Sequence, residues 1–155
     1  MANKILEQIK DVLEAKELKY YCDEEERIGA GFMNFAFMFH ATEDYLDFRL
    51  QMKLDVPEEY RLEMLQYLNR VNCITKEGHW EMDAEVELTG AIAFRLSEDL
   101  SVECGVEDYR IVSMIEKGIA AVSLFSDGMK KIASGESTAT VAYLEMMVER
   151  LMDNE

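Results

Sequence analysis

His40 and His79 are the chain's two histidines, and neither stands in a His-Glu-x-x-His frame that would set two imidazoles on one zinc ion. Cys22, Cys73 and Cys104 are odd in number and far apart, with no Cys-x-x-Cys spacing. They read as reduced thiols buried like small hydrophobes, not as a redox pair or a metal knuckle. Gly29-Ala-Gly31 lacks the third glycine of a dinucleotide loop and falls inside an alternating, strand-like stretch. It reads as room for a bulge or close packing. No Gly-x-Ser-x-Gly elbow and no phosphate-cradling Gly-x-x-x-x-Gly-Lys occurs. The acidic row Glu81, Asp83, Glu85 and Glu87 could attract a cation, but a flat strand face does not wrap one, and a solvated face is the expected role. No catalytic residue, metal ligand or cofactor-binding residue is therefore expected.

The elements that carry these residues are easier to read. Asp55 to Asn72 holds the only proline: Asp55 is expected to cap a helix, with Pro57 in its first turn and Glu58 and Glu59 on the positive end of its dipole. Tyr60, Met64, Leu65, Tyr67, Leu68 and Val71 form its apolar arc. Before it, Ile5, Leu6, Ile9, Val12 and Leu13 recur at helical spacing after a capping Asn3, and Lys19 to Cys22 is short and strand-like. Gly29 to His40 and Tyr45 to Leu54 then predict a hairpin around Ala41-Thr-Glu-Asp44. His40 opposite Tyr45 puts Phe39 on Leu46, Phe37 on Phe48, Phe35 on Leu50 and Met33 on Met52, with the Leu65 and Leu68 helix covering that face. The other face carries Phe32, Asn34, Ala36 and Met38 against Lys53, Gln51, Arg49 and Asp47.

A second hairpin is expected from Gly78, with Trp80, Met82, Ala84, Val86 and Leu88 on one side of a half-buried strand. A three-residue turn holding Gly90 would align Val86 with Phe94, Ala84 with Leu96 and Glu85 with Arg95. After Gly105, the stripe Ile111, Ile115, Gly118, Val122, Phe125, Met129 and Ile132 predicts a long helix closed by Gly135, with Gly118 marking a close backbone approach. Ser137 or Thr138 can cap a last helix carrying Val141, Leu144, Val148 and Leu151, with Met146, Met147 and Met152 alongside. Helices on a mostly antiparallel sheet of two hairpins make an α+β fold, with residues 1–155 as one domain.

With 32 acidic and 16 basic residues and a net charge of -16, nucleic acid and anionic membranes are poor partners. No apolar run approaches the eighteen or so residues of a membrane span, and the N-terminus lacks the apolar core of a signal peptide, so a cytoplasmic location is expected.

Pro57...Leu65-x-x-Leu-Asn-x-x-Asn72, Gly78-x-Trp80-x-Met-Asp83, Ile92-Ala-Phe-Arg95 and the long helix from about Val106 together resemble the YbjN-like proteins of bacteria. The resemblance covers residues 1 to about 135. It implies a proposed sensory-transduction regulator with a fold like that of type III secretion chaperones, a curved antiparallel sheet flanked by helices and commonly dimeric. The helix from about Ser137 to Met152 is additional to that pattern. The family brings no active-site residues.

The functional expectation is a non-enzymatic domain that binds a polypeptide, as a chaperone-like adaptor or a signalling regulator, and that pairs with itself as a homodimer. The alternative is a small enzyme or ligand-binding domain with a pocket between sheet and helices. Among eleven methionines, Met33, Met52, Met64 and Met82 are expected in the core. Phe32, Met38, Met146, Met147 and Met152 are the residues expected at a partner or dimer contact.

Overall fold

The computed structural model describes residues 2–82, 91–100 and 106–153. Helix α1 (Ala2–Ala15) leads into β1 (Tyr21–Cys22), β2 (Ile28–Gly31), β3 (Phe35–Ala41) and β4 (Tyr45–Met52). A 3-10 turn (Glu58–Tyr60) and α2 (Arg61–Ile74) precede β5 (His79–Met82) and β6 (Ile92–Asp99), and α3 (Asp108–Ala133) and α4 (Ala139–Asp153) follow. The strands lie in one six-stranded sheet in the order β1-β2-β3-β4-β6-β5. The expected α+β architecture, with its additional C-terminal helix, is therefore present. None of the described helices is long and apolar enough to cross a membrane. The chain divides into two compact units, Met1–Lys53 with Phe94–Gly118, and Leu54–Ala93 with Ile119–Glu155.

In the first unit α1 packs on β2 and β3 through Ile5, Leu6, Ile9, Val12 and Leu13, all buried as their spacing predicts. The strands answer with Phe37, Phe39, Leu46, Phe48 and Leu50, each no more than 1% exposed. Phe39 and Phe48 stand 5.0 Å apart and Phe37 and Phe48 5.6 Å, within the range where tilted aromatic pairs attract. Gly118 lets α3 close on this cluster, since an added Cβ would lie 2.8 Å from the Phe48 ring. The close approach is to a ring and not to a backbone. Gln8 donates from Nε2 to the Val106 carbonyl and to Asp108 Oδ1, both at 2.6 Å, tying α1 to the start of α3. Ser97 on β6 donates to Asp47 at 2.5 Å and the Leu100 N–H to the Asp44 carbonyl at 2.8 Å, so β6 runs antiparallel to β4.

The hairpin register differs from the sequence expectation by two residues. Phe39 opposes Phe48, Phe37 opposes Leu50 and Phe35 opposes Met52, because β3 runs on to Ala41 and the loop closes tightly between Thr42 and Tyr45. Thr42 Oγ1 accepts from the Tyr45 and Asp44 amides, which makes the short loop. A two-residue slip keeps every side chain on its face, so the apolar face survives the change. Gly29 to His40 is likewise not one strand. The chain turns at residues 32–34, with the Phe32 N–H on the Phe35 carbonyl at 2.8 Å, and Ile28 and Ala30 pair back onto Phe39 and Phe37. Met33 therefore sits 90% exposed at a turn tip and not in the core. Phe32 leaves the wet face and stacks on Phe35 at 4.9 Å.

In the second unit Met64, Tyr67, Leu68 and Val71 of α2 are buried, whereas Leu65, expected among them, is exposed. Asp55 is not the cap. Pro57 heads the 3-10 turn without any side-chain capping bond, and α2 begins only at Arg61, whose Nε donates to the carbonyl of buried Val56. Asn72 brackets Trp80, donating to its carbonyl at 2.8 Å and accepting its N–H at 2.7 Å. Trp80 meets Phe125 edge-on at 6.5 Å, and the Tyr67 hydroxyl donates to the Phe125 carbonyl at 3.2 Å. Burial pushes the Tyr67 phenol well above its ordinary pKa. Gly128 faces that phenol, with room for no side chain. The Gly90 turn, the pairs expected around it, and Cys104 lie outside the described residues. Cys22 and Cys73 are exposed, not buried, since Cys22 sits on the edge strand β1 and Cys73 on the outward side of α2.

Candidate interaction surfaces

Helix α4 starts from a built junction. Gly135 takes φ +79°, its N–H reaches the Ile132 carbonyl and the Glu136 N–H the Lys131 carbonyl, which closes α3 in a left-handed cap. Thr138 then caps α4, its Oγ1 accepting the Val141 N–H at 3.3 Å. Glu63 of α2 adds a carboxylate on the Ala139 N–H at 2.8 Å, a role its outward position on the α2 wheel gave no sign of. A carboxylate at that end also opposes the positive pole of the helix dipole.

Against α2, α4 buries Ala139, Ala142 and Met146, and Arg70 lies over the Tyr143 ring at 5.9 Å. The larger apolar residues point elsewhere. Val141, Leu144, Val148 and Leu151, spaced three, four and three apart, are 47, 56, 54 and 65% exposed, and Met152 beside them is 68% exposed. A shallow groove runs along them, lined by Lys131, Val141, Leu144, Glu145, Val148 and Glu149. Lys131 pairs with Glu145 at 3.2 Å, so one of its two acids is already neutralised.

The residues expected at a contact fall in both units and differ in exposure. Met152 lies open beside the stripe, Met147 is half-buried and Met146 is inside the unit. Phe32 and Met38 are both half-buried in the first unit, where Met38 stands across from Arg49 on the sheet face opposite the aromatic core. His40 is half-buried and His79 exposed, 3.6 Å from Glu81.

No family model matches the sequence, and neither does any curated protein. The fold, however, is similar to several solved structures. YbjN from E. coli, a proposed transcription regulator, superposes with a TM-score of 0.63 at 11% identity, over 77% of this chain and 86% of that one. The ExsC–ExsE complex gives 0.55 at 12% identity, over 81% and 92%. An uncharacterized protein from Methanothermobacter thermautotrophicus gives 0.57 at 13%, over 84% and 98%. The chain has the YbjN-like fold that its sequence pattern implied, a fold it also shares with the ExsC–ExsE complex.

Proposed function

We propose that this chain is a non-enzymatic protein-interaction domain of the cytoplasm, a chaperone-like adaptor or regulator that binds a polypeptide and pairs with itself as a two-fold dimer. The observation that carries the reading is the open stripe Val141, Leu144, Val148, Leu151 and Met152 on α4. Contiguous apolar surface of this kind usually marks a contact. A helix with such a stripe buries it in a groove or against a partner helix, with anchors at three- and four-residue steps. Met147 borders the contact, and Met146 holds α4 in place from the other side. That a protein of the same fold was solved as a complex supports the reading.

The net charge of -16 opposes self-association, but the screening length at physiological salt is about 8 Å, so a packed apolar contact outweighs it. Light scattering at tens of micromolar protein is expected to give a dimer that strengthens with salt and is lost in Leu144→Asp/Val148→Asp. A monomer at both low and high salt removes the dimer. Capture from the cell's own extract is expected to yield a stoichiometric polypeptide with the native chain and not with the α4 variant. Recovery of the chain alone removes the adaptor role.

A further inference from the structure

The sheet face opposite the aromatic core of the first unit carries an unmet demand. Its rows, read across the strands, are Tyr21, Gly29, Met38 and Arg49; Gly31, Ala36 and Gln51; and His40 with Asp47. Arg49 is half-buried, and its Nε is shut from solvent with no hydrogen-bond acceptor. A buried donor left unmade is costly, and an arginine fork is shaped for a carboxylate. Asp47, two residues along the same strand face, accepts the Ser97 hydroxyl.

In Arg49's own row the Tyr21 ring covers Gly29, whereas in the next row the floor at Gly31 is open. A Cβ added to Gly31 would meet nothing nearer than Lys53 Nζ at 4.0 Å, and that ammonium rests on the Phe32 carbonyl. Two cations, Arg49 and Lys53, therefore stand on the same face as a small-residue floor of Gly31 and Ala36 in a chain whose net charge is -16. We propose that this face binds an extended acidic polypeptide segment, with one carboxylate on the Arg49 guanidinium, its backbone over Gly31 and Ala36, and an apolar neighbour on Met38. The surface is distinct from α4 and stands without it.

The test titrates the isotope-labelled full chain with a blocked octapeptide alternating valine and glutamate, followed by NMR, beside its glutamine counterpart and inorganic phosphate. Shifts are expected at the Gly31, Ala36 and Met38 amides and at the Arg49 Nε–H. The glutamine peptide is expected to bind at least about tenfold more weakly, as charge-assisted bonds to arginine imply. Arg49→Gln is expected to show the same loss, Arg49→Lys a smaller one, and Leu144→Asp none. Equal binding of both peptides, indifference to Arg49→Gln, no shifts at all, or saturation by phosphate without peptide binding each overturns the proposal.

Discussion

Gly128→Ala sets two effects of opposite sign against each other. Alanine in a helix interior gains about 1 kcal/mol over glycine. The added Cβ would lie 2.5 Å from Tyr67 Oη and 2.8 Å from Cζ, closer than atoms pack. The ring has nowhere to go, since Tyr67 is fully buried and its hydroxyl is held on the Phe125 carbonyl. Overpacking of this kind costs about 1–3 kcal/mol. Displacing the hydroxyl also sacrifices a buried hydrogen bond, a further loss of about 1–3 kcal/mol. The cost wins, and the net expectation is a destabilisation of about 1–5 kcal/mol, read as a lowered urea midpoint with an unchanged slope. Gly31→Ala, where the space is open, is the control and is expected to stay within about 0.5 kcal/mol of the native chain. In a double-mutant cycle, Tyr67→Phe removes the nearest atom, so the pair is expected to cost less than the sum of the two singles. A Gly128→Ala chain as stable as the native one, or more so, refutes the argument that Tyr67 is held rigidly.

Phe37→Ala is expected to cost about 3–5 kcal/mol in urea unfolding, since the ring is 1% exposed among Phe39 and Phe48, and a loss under about 1 kcal/mol contradicts that packing. The Tyr67 phenol is raised by burial, so the folded chain keeps a proton that the unfolded chain releases near pH 10. The stability it contributes is whole below pH 10 and falls as pH rises beyond it. Tyr67→Phe is expected to flatten the alkaline slope in urea midpoints, leaving the screened parts from surface Tyr20, whose bond to Glu14 pushes it up to about 12, and from Lys10 and Lys131, which their bonds to Glu7 and Glu145 also raise. An undiminished slope counts against the burial argument. Cys22 and Cys73 are expected to react with a thiol reagent in the native chain at nearly the rate seen in denaturant, and protection of either contradicts its exposure.

What the sequence made legible follows its periodicities. The five α1 positions and the seven-residue α3 stripe were readable because each repeats without interruption for several turns. The faces of β3 and β4 were readable by alternation, but a two-residue slip leaves alternation unchanged, so register depended on the Thr42 turn bonds, which carry no hydrophobic signature. The turn at residues 32–34 hid behind Phe32 and Met33, which continue the apolar pattern where the chain reverses. On α4 the sequence pointed to apolar groups left partly exposed, but the docking face is made of Ala139, Ala142 and Met146. Two of these are too small to stand out beside Val141 and Leu144. Glu63 and Gly128 were missed for a related reason, since one contributes through a backbone amide of a distant helix and the other through the side chain it lacks. Arg49 looked like an ordinary solvated charge, and only the burial of its Nε separates it from one.

The thinness of the α4 docking face has a consequence for exchange with solvent. Two alanines and one methionine bury little area, so α4 is held to α2 by the Glu63 carboxylate at its first turn as well as by packing. Segments held this way open below the global unfolding free energy, and their amides exchange first. Anything that binds the outer stripe only while α4 is docked must raise the protection of those amides by a factor that grows with its free concentration. The slow step in losing such a partner is then open to control from α2, because weakening the Glu63 bond loosens a surface that Glu63 never touches.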